Sequence, residues 1–469
     1  MSEFFWKEYP ECDREYVRWY PCNVGKMSES EHIRKESYVF YVHLPFCNNV
    51  CSCCLYNKQN TEGELLDNYL TAIKKEICMY SKTPSVMNAE FVAGYIGGGT
   101  PTVLSEEQLS DLLDFIKEHL NIRDSAPITV ETTPVDITLK KAKMLLEHGV
   151  NRVSVGVQSF DNELLKRIGR THTAQEAVET IDMLRSAGFE EINIDLMYAL
   201  PGDSIEVWKK TLHQLNELNV ESVSLYYYIQ LPESRLTTRI QQGRVPACPD
   251  EQEAEQLYLY GVQYLLGKGY VAVSPNDFGK DDKTGEEYWN KEGAVSFWID
   301  EKKGYKAAMA YTMERTSYIS HCWYHNGPML AFGSGAYGYI NNHIYFNQPS
   351  IQTYIDETNN GHLPVVMGAD VNMDEQIRRN MILAVKLLCI RRQDFINRYG
   401  IDIGTYFKKE IDILIEEGLV ELTEEKLIVT FPKGWKYIDN ISKMFYSEKN
   451  YRLPQPAPTN TNLIKYLIG

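Results

Sequence analysis

The chain has 469 residues, of which 43% are hydrophobic, and this is enough to bury a large core and to divide into more than one domain. No run approaches the ~18 uninterrupted apolar residues of a membrane span, so the composition predicts a soluble protein. The formal net charge of -16 argues against nucleic acid or an anionic membrane surface as the main partner.

The first part of the chain alternates apolar runs with amphipathic stretches. This alternation predicts βα units around a parallel sheet, in the α/β class, and six units make three quarters of a TIM-type barrel, a partial (β/α)6 barrel. The predicted strands are 38–44, 91–96, 128–132, 150–157, 191–200 and 221–231, and the predicted helices are 65–80, 105–120, 138–148, 174–187, 206–218 and 251–266.

Three cysteines, Cys47, Cys51 and Cys54, follow the first predicted strand with the spacing Cys-x3-Cys-x2-Cys. Three thiolates can hold three irons of a four-iron cube and leave the fourth iron open to a small molecule. Zinc bound by these thiolates and His43 is the alternative, although the second, distant cysteine pair that zinc ribbons usually have is missing. The spacing suits a metal better than disulfides, and free thiols favour a reducing, cytoplasmic setting.

Polar side chains lie near the carboxyl ends of three predicted strands. They are Glu131, Gln158 and Asp195. Gln158 and Asp195 fall on the face opposite the apolar residues of their strands, because strand side chains alternate with period two. Each one alone could be a satisfied structural polar group. In α/β barrels, however, this end of the strands builds the active site, so three such groups on one rim favour ligand binding.

The C-terminal part of the chain has predicted helices followed by two short strands. This order predicts a small α+β winged-helix-like cap, and its few clustered Lys and Arg residues favour an active-site lid over DNA binding. The predicted helices are 377–388, 395–399 and 407–417, and the strands are 418–422 and 427–430.

Several motifs occur in order between residues 36 and 236. Together they resemble the oxygen-independent coproporphyrinogen oxidase family of radical S-adenosylmethionine (SAM) enzymes. A later segment, WYHNGPMLAFGSGAYG at 323–338, is similar to a glycine-rich segment of that family or is a turn-rich loop. The motifs that carry the resemblance are YVHLPFC at 41–47, the cysteine loop, GGGTPT at 97–102, GVNRVSVGVQSF at 149–160, Gly169-Arg170 and NIDLMYALPG at 193–202.

The resemblance implies a 4Fe-4S cluster held by Cys47, Cys51 and Cys54, whose open iron chelates the amino and carboxylate groups of SAM. One electron would then split a C–S bond of SAM and release a 5′-deoxyadenosyl radical. The cofactor carries this chemistry and the protein positions it. Tyr41 and His43 would flank the cluster.

The resemblance also assigns residues to SAM itself. Arg170 matches the position that pairs with the SAM carboxylate, where a guanidinium fork fits best. Positions that match contacts with other polar groups of SAM, including its ribose, are Glu131, Gln158 and Asp195. Backbone groups for the methionine part would come from Gly98, Gly99 and Thr100.

The sequence departs from the family at two places in the cysteine loop. Porphyrinogen-oxidising members resemble one another in a further cysteine two places after the third ligand, and here that place is Tyr56. This difference argues against coproporphyrinogen decarboxylation. Cys53 occupies a position usually held by an aromatic residue, either as a small hydrophobe or as an alternative thiol for catalysis.

We therefore expect C-methylation, or transfer of another one-carbon unit, to an sp2 carbon of an aromatic, tetrapyrrole or natural-product substrate, with two SAM molecules bound. The alternatives are oxidative decarboxylation of coproporphyrinogen III without oxygen, and a haem-binding chaperone. A planar substrate could stack on Tyr226, Tyr227 or Tyr228, of which at most two share the barrel-facing parity.

The expected partners are a small organic substrate and a one-electron donor such as flavodoxin or ferredoxin, with neither nucleic acid nor membrane. The expected domains are an N-terminal segment at 1–35, the radical SAM partial barrel at 36–300, a connecting glycine-rich region at 301–370 and the C-terminal cap at 371–469.

Overall fold

The computed structural model describes residues 20–21, 37–49, 51–54, 59, 64–230, 234–280 and 317–451. Within these ranges, no helix is both long and apolar enough to cross a membrane. The predicted boundary at residue 300 lies outside the described residues, and the division into four domains stays a prediction.

Six parallel strands follow one another across the sheet in chain order, which confirms the predicted partial (β/α)6 barrel. The apolar face of each strand is covered by helices: Val153, Val155 and Val157 are completely buried. The other face lines the barrel interior. The strands are Ser37–Leu44 (β1), Glu90–Gly98 (β2), Ile128–Thr132 (β3), Arg152–Gln158 (β4), Glu191–Tyr198 (β5) and Ser222–Tyr227 (β6).

Seven of the barrel helices begin at a Ser, Thr or Asp side chain that caps the first turn. Ser105, Thr173 and Asp250 each form a capping box with the residue three places later, which satisfies free N–H groups of the first turn. The helices are Glu64–Ser81 (α1), Pro84–Met87 (α2), Glu106–His119 (α3), Leu139–Glu147 (α4), Asn162–Ile168 (α5), Ala174–Ala187 (α6), Ile205–Leu218 (α7), Arg235–Gln241 (α8) and Glu251–Gly267 (α9).

The sheet extends beyond the six barrel strands on both sides, to twelve strands: four strands between residues 329 and 370 are added beside β1, and two strands between residues 270 and 280 are added beside β6. The segment 323–338 contributes two of these strands, and one of them pairs in parallel with β1. The interpretation of this segment as a turn-rich loop is therefore wrong for β9 and β10. The added elements are Tyr270–Ala272 (β7), Asp277–Lys280 (β8), Ser317–Ile319 (α10), a π-helical turn at Ser320–Tyr324, Met329–Phe332 (β9), Tyr337–Ile340 (β10), His343–Asn347 (β11), Ile351–Asn359 (α11) and Val365–Asp370 (β12).

The C-terminal part forms the predicted α+β cap around a three-stranded antiparallel sheet in the order β13-β15-β14. The sequence predicted two of these strands and missed β13. The elements are Met373–Ala384 (α12), a 3-10 turn at Val385–Leu387, Cys389–Arg391 (β13), Arg392–Tyr399 (α13), Ile403–Tyr406 (α14), Lys408–Glu416 (α15), Val420–Leu422 (β14), Lys426–Val429 (β15), Lys433–Lys436 (α16), Ile438–Met444 (α17) and Glu448–Tyr451 (α18).

Candidate functional site

The three cysteines lie in the loop that follows β1, at the carboxyl edge of the barrel sheet. Cys47 is buried and its Sγ is 3.4 Å from Thr100 Oγ1, whereas Cys51 and Cys54 are partly exposed. In the part of the chain that the structure describes, no three His, Cys, Asp or Glu side chains surround a single metal ion. A four-iron cube does not need such convergence, because it binds each thiolate at a separate iron.

Hydrogen bonds connect the cysteine loop to the end of α5. The Ser52 N–H donates to the Ile168 carbonyl at 3.0 Å, and Asn49 Nδ2 donates to the Gly169 carbonyl at 2.9 Å. Arg170 is the next residue. The loop that carries the cysteines and the turn that carries this arginine are therefore held together directly.

Gly97, Gly98 and Gly99, which we call the glycine patch, lie at the end of β2 and pack against the segment that leads into the cysteine loop. A Cβ atom at Gly99 would lie 2.3 Å from the Phe46 carbonyl oxygen, and one at Gly98 would lie 2.6 Å from the His43 ring. Gly98 also has a φ of +110°, which favours glycine. Only residues without side chains allow this close approach. The Thr100 N–H also donates a 2.7 Å hydrogen bond to the Phe46 carbonyl.

Five residues at the barrel mouth, His43, Tyr41, Tyr95, Glu131 and Gly98, form a closed ring of contacts that we call the barrel-mouth ring. The Tyr41 hydroxyl lies 2.9 Å from His43 Nδ1, and the Tyr41 and Tyr95 rings are 6.1 Å apart. The Tyr95 hydroxyl donates to Glu131 Oε1 at 2.8 Å, and the Gly98 N–H donates to Glu131 Oε2 at 2.9 Å. Four members were predicted as site residues, whereas Tyr95 was missed.

Asp195 lies further across the barrel interior, where it is partly exposed. Its carboxylate accepts hydrogen bonds from Asn193 Nδ2 at 2.8 Å and from the Ser154 hydroxyl at 3.3 Å. Burial, and then the negative charge of Glu131, raise its pKa to about 7.

A second aspartate that the sequence did not predict, Asp277, follows in the same line of polar groups. The Ser224 hydroxyl donates to Asp277 at 2.9 Å, and Asn193 reaches the Ser224 oxygen at 3.4 Å. Asp277 lies on β8, a strand too short for its faces to be predicted. The barrel interior therefore carries three carboxylates.

Gln158 and Arg170 meet at the carboxyl end of β4. A Cβ atom at Gly156 would lie 3.0 Å from Gln158 Nε2 and 3.3 Å from Arg170 Nη2, so the glycine leaves room for both side chains. Gln158 is buried and adopts a φ of 71°, which is uncommon for a residue with a side chain. Arg170 Nε is buried and has no hydrogen-bond partner among the described residues.

Cys53 lies in apolar surroundings. It is buried in an apolar cluster with Leu164, Leu200 and Tyr228. This packing supports the interpretation of Cys53 as a small hydrophobe that fills the place of an aromatic residue. Its catalytic role stays a prediction, and Tyr56 lies outside the described residues.

The three consecutive tyrosines at the end of β6 lie in different surroundings. Tyr226 and Tyr227 are 43% and 49% exposed, whereas Tyr228 is buried. Tyr226 has the same parity as Ser224, whose hydroxyl faces the barrel interior. Tyr226 is therefore the tyrosine of the three that is both exposed and on the barrel side.

Comparison with known proteins adds to this geometry. The family model described as the radical SAM superfamily matches residues 41–215. These residues contain the cysteine loop, the glycine patch, the barrel-mouth ring and Asp195.

Along most of its length, the chain is also similar to a haem chaperone and to coproporphyrinogen oxidases. It is 30% identical to the haem chaperone HemW of Bacillus subtilis over 83% of this chain and 94% of the relative. It is 28% identical to the oxygen-independent coproporphyrinogen III oxidase of Salmonella typhimurium, over 88% and 87%. The solved structure of coproporphyrinogen III oxidase (HemN) from Escherichia coli covers 87% of this chain and 90% of its own, with a TM-score of 0.72 and 25% identity.

These matches extend from the barrel into the C-terminal cap and agree with the order of motifs around the cysteine loop. The superfamily implies a 4Fe-4S cluster and SAM as cofactors. The chain belongs to the radical SAM superfamily, in the family of oxygen-independent coproporphyrinogen III oxidase and the haem chaperone HemW.

Proposed function

We propose that Cys47, Cys51 and Cys54 hold the 4Fe-4S cluster and that SAM binds beside them at the carboxyl end of the barrel. The observation that supports this most is the buried Arg170 Nε, which lacks a hydrogen-bond partner among the described residues. A buried donor of this kind costs free energy unless a ligand satisfies it. A guanidinium group matches a carboxylate in shape and charge, so the residues present fit SAM.

The cluster and SAM, when bound, supply a one-electron cleavage that yields a hydrogen-abstracting radical. The protein residues bind SAM and orient it. Gly98, Gly99 and Thr100 pack against the segment that leads into the cysteine loop, and we assign their remaining backbone groups to the methionine part of SAM. Glu131 has a carboxylate that is already oriented by two donors. Asp195, with a pKa of about 7, accepts a hydrogen bond from a ribose hydroxyl when ionised and donates one when protonated.

The organic ligand that we propose is a tetrapyrrole, with haem as the first candidate. The relatives' names include a haem chaperone and a coproporphyrinogen oxidase, and the haem chaperone from Bacillus subtilis matches over 94% of its length. Tyr226 offers an exposed aromatic ring at the barrel mouth for a flat ligand. Three carboxylates, Glu131, Asp195 and Asp277, disfavour a ligand with four carboxylates, because like charges repel.

Haem titration of the anaerobically reconstituted protein tests this function. Absorbance should show saturable binding of one haem, and Arg170→Ala should retain haem binding while it loses SAM cleavage. Haem binding without SAM consumption supports a chaperone. No haem binding, together with conversion of coproporphyrinogen III to a product lighter by carbon dioxide, would show the decarboxylase instead.

One-carbon transfer with two bound SAM molecules is the second candidate. It is supported by the exposed, barrel-facing Tyr226 and by a tyrosine at position 56 where porphyrinogen-oxidising members have a cysteine. With methyl-labelled SAM and the right acceptor, label should appear in the product together with 5′-deoxyadenosine and S-adenosylhomocysteine. A product without label contradicts this candidate. The electron donor, for which flavodoxin or ferredoxin was expected, stays a prediction.

A further inference from the structure

Tyr95 lies on β2, two residues before the glycine patch, with its side chain on the barrel side of the strand. It is partly buried, and its hydroxyl donates a 2.8 Å hydrogen bond to Glu131 Oε1. A phenylalanine at this position would supply the same aromatic packing as the tyrosine ring. The hydroxyl is therefore the part of Tyr95 that calls for an explanation.

The hydroxyl completes the orientation of the Glu131 carboxylate. Gly98 N–H binds one oxygen at 2.9 Å, and Tyr95 binds the other, so rotation of the carboxylate about its terminal bond is prevented. Gly97 permits this arrangement, because a Cβ atom there would lie 2.7 Å from the carboxylate carbon. With both oxygens held, the remaining lone pairs have fixed directions.

The Tyr95 ring is itself held in place by other rings. The Tyr41 ring centre lies 6.1 Å away on one side and the Tyr318 ring centre lies 5.5 Å away, both in tilted arrangements. Such aromatic contacts favour one ring orientation. The ring cannot turn aside without losing them, so its hydroxyl stays aimed at Glu131.

We propose that Tyr95 is a positioning residue that orients Glu131 for SAM. The inference rests on the proposed function of Glu131 as a SAM contact. Tyr95 acts through Glu131 and does not touch SAM. Because the Glu131 carboxylate is oriented in advance, SAM binding loses less conformational entropy.

The test is SAM binding to the cluster-loaded protein, measured by isothermal titration calorimetry without oxygen. Tyr95→Phe should weaken SAM binding by up to about tenfold, because SAM then has to immobilise the Glu131 side chain when it binds. Tyr318→Phe is the matched control, because its hydroxyl bonds Met329 Sδ at 3.0 Å and its ring packs against the same tyrosine. Tyr318→Phe should leave SAM affinity unchanged.

A double-mutant cycle separates positioning from a general structural role. In a Glu131→Ala background, Tyr95→Phe should cause no further loss of SAM affinity, because the group through which it acts is absent. Full additivity of the two losses would overturn the proposal. Iron content and melting temperature, which should match the wild-type protein, report whether the variant is folded.

The outcomes also distinguish this inference from the proposed function. If the wild-type protein does not bind SAM, the proposed function fails. If it binds SAM and Glu131→Ala weakens binding while Tyr95→Phe does not, only the role of Tyr95 fails. Should Tyr95→Phe lose the cluster while Tyr318→Phe keeps it, Tyr95 has a general structural role and the proposal is overturned.

Discussion

Two carboxylates in different regions of the molecule have the same raised pKa and different surroundings. Glu76, on the outer helix α1, is completely buried and accepts hydrogen bonds from Gly333 N, Asn347 Nδ2 and the Tyr354 hydroxyl at 2.9, 2.6 and 2.5 Å. Asp195, inside the barrel, is partly exposed and accepts from side chains only. Burial raises the pKa of each to about 7.

The comparison shows that a shifted pKa does not by itself mark a ligand site. The donors around Glu76 come from three separate elements that pack on α1, so this carboxylate connects the helix to the added strands of the sheet. Asp195 lies on the barrel side of β5, beside Ser154 and Asn193. We infer that Glu76 stabilises the fold and that Asp195 serves the ligand, and five predictions test this division.

The largest expected effect is loss of the cluster when one of its proposed cysteine ligands is replaced. Alanine at Cys47, Cys51 or Cys54 should abolish it, because each thiolate holds one iron. The reconstituted wild-type protein should contain about four irons and four sulfides per chain and bleach in air. Cys53→Ala is the matched control within the same loop and should keep the cluster. Iron retained by the triple alanine variant contradicts the ligand assignment.

The second prediction separates the two carboxylates by stability. Glu76→Ala should lower the free energy of unfolding by on the order of 3–5 kcal/mol, because it leaves buried donors unpaired and creates a cavity. Asp195→Ala should change it by less than about 1 kcal/mol, since Asp195 is partly exposed. Urea unfolding of both variants measures the difference. Equal losses in the two variants would remove the distinction.

The third prediction concerns SAM affinity, which should depend on residues at the barrel mouth. Arg170→Ala should weaken SAM binding by on the order of 1.5–3 kcal/mol, for one lost charge-assisted contact, with the cluster intact. Glu131→Ala should also reduce SAM cleavage. Calorimetry without oxygen measures the first effect and release of 5′-deoxyadenosine the second. Unchanged affinity in both variants would mean that these residues are structural.

The fourth prediction uses the pH dependence of stability. The folded state holds a proton on Glu76 up to about pH 7, whereas the ordinary value is 4.5. The stability of the wild-type protein relative to Glu76→Gln should therefore fall as pH rises from 4.5 to about 7, by at most about 1.4 kcal/mol per pH unit. Unfolding at several pH values, with and without SAM, checks this. A slope that changes on addition of SAM would place Glu76 on the ligand side.

The smallest expected effect is on the proposed stacking contact. Tyr226→Ala should weaken haem binding by roughly 0.5–1.5 kcal/mol, the range for an aromatic pair. Tyr227→Ala is the matched control, because its side chain has the opposite parity on β6. Fluorescence or absorbance titration gives both values. A larger loss for Tyr227→Ala would move the ligand to the other face of the strand.

Strong local patterns account for what the sequence predicted of the fold. The strands of the barrel are apolar runs followed by capped amphipathic helices, and β3 and α6 were predicted with their observed limits. The added strands β9 to β12 and the cap strand β13 were missed as strands. They have three to six residues each. β9 and β13 pair with strands that are distant in the sequence, whereas β10 and β11 form a short hairpin with each other.

The candidate site was predictable where motifs carry it. The cysteines and glycines are recognisable by spacing, and Glu131 and Asp195 by polar residues on otherwise apolar strands. Tyr95 was missed because a tyrosine in an apolar run is usually interpreted as a core residue. Its parity with Gly97 nevertheless puts it on the barrel side of β2. Its hydrogen bond to a neighbouring strand becomes visible only in three dimensions.

The shared hydrogen bonds between the cysteine loop and the end of α5 have a consequence for the order of assembly. Asn49 and Ser52 hold the carbonyls of Gly169 and Ile168, directly before Arg170. We infer that a cluster bound by this loop also fixes the position of Arg170, and that the proposed SAM site is less ordered before the cluster is present. We therefore expect cluster assembly to precede SAM binding.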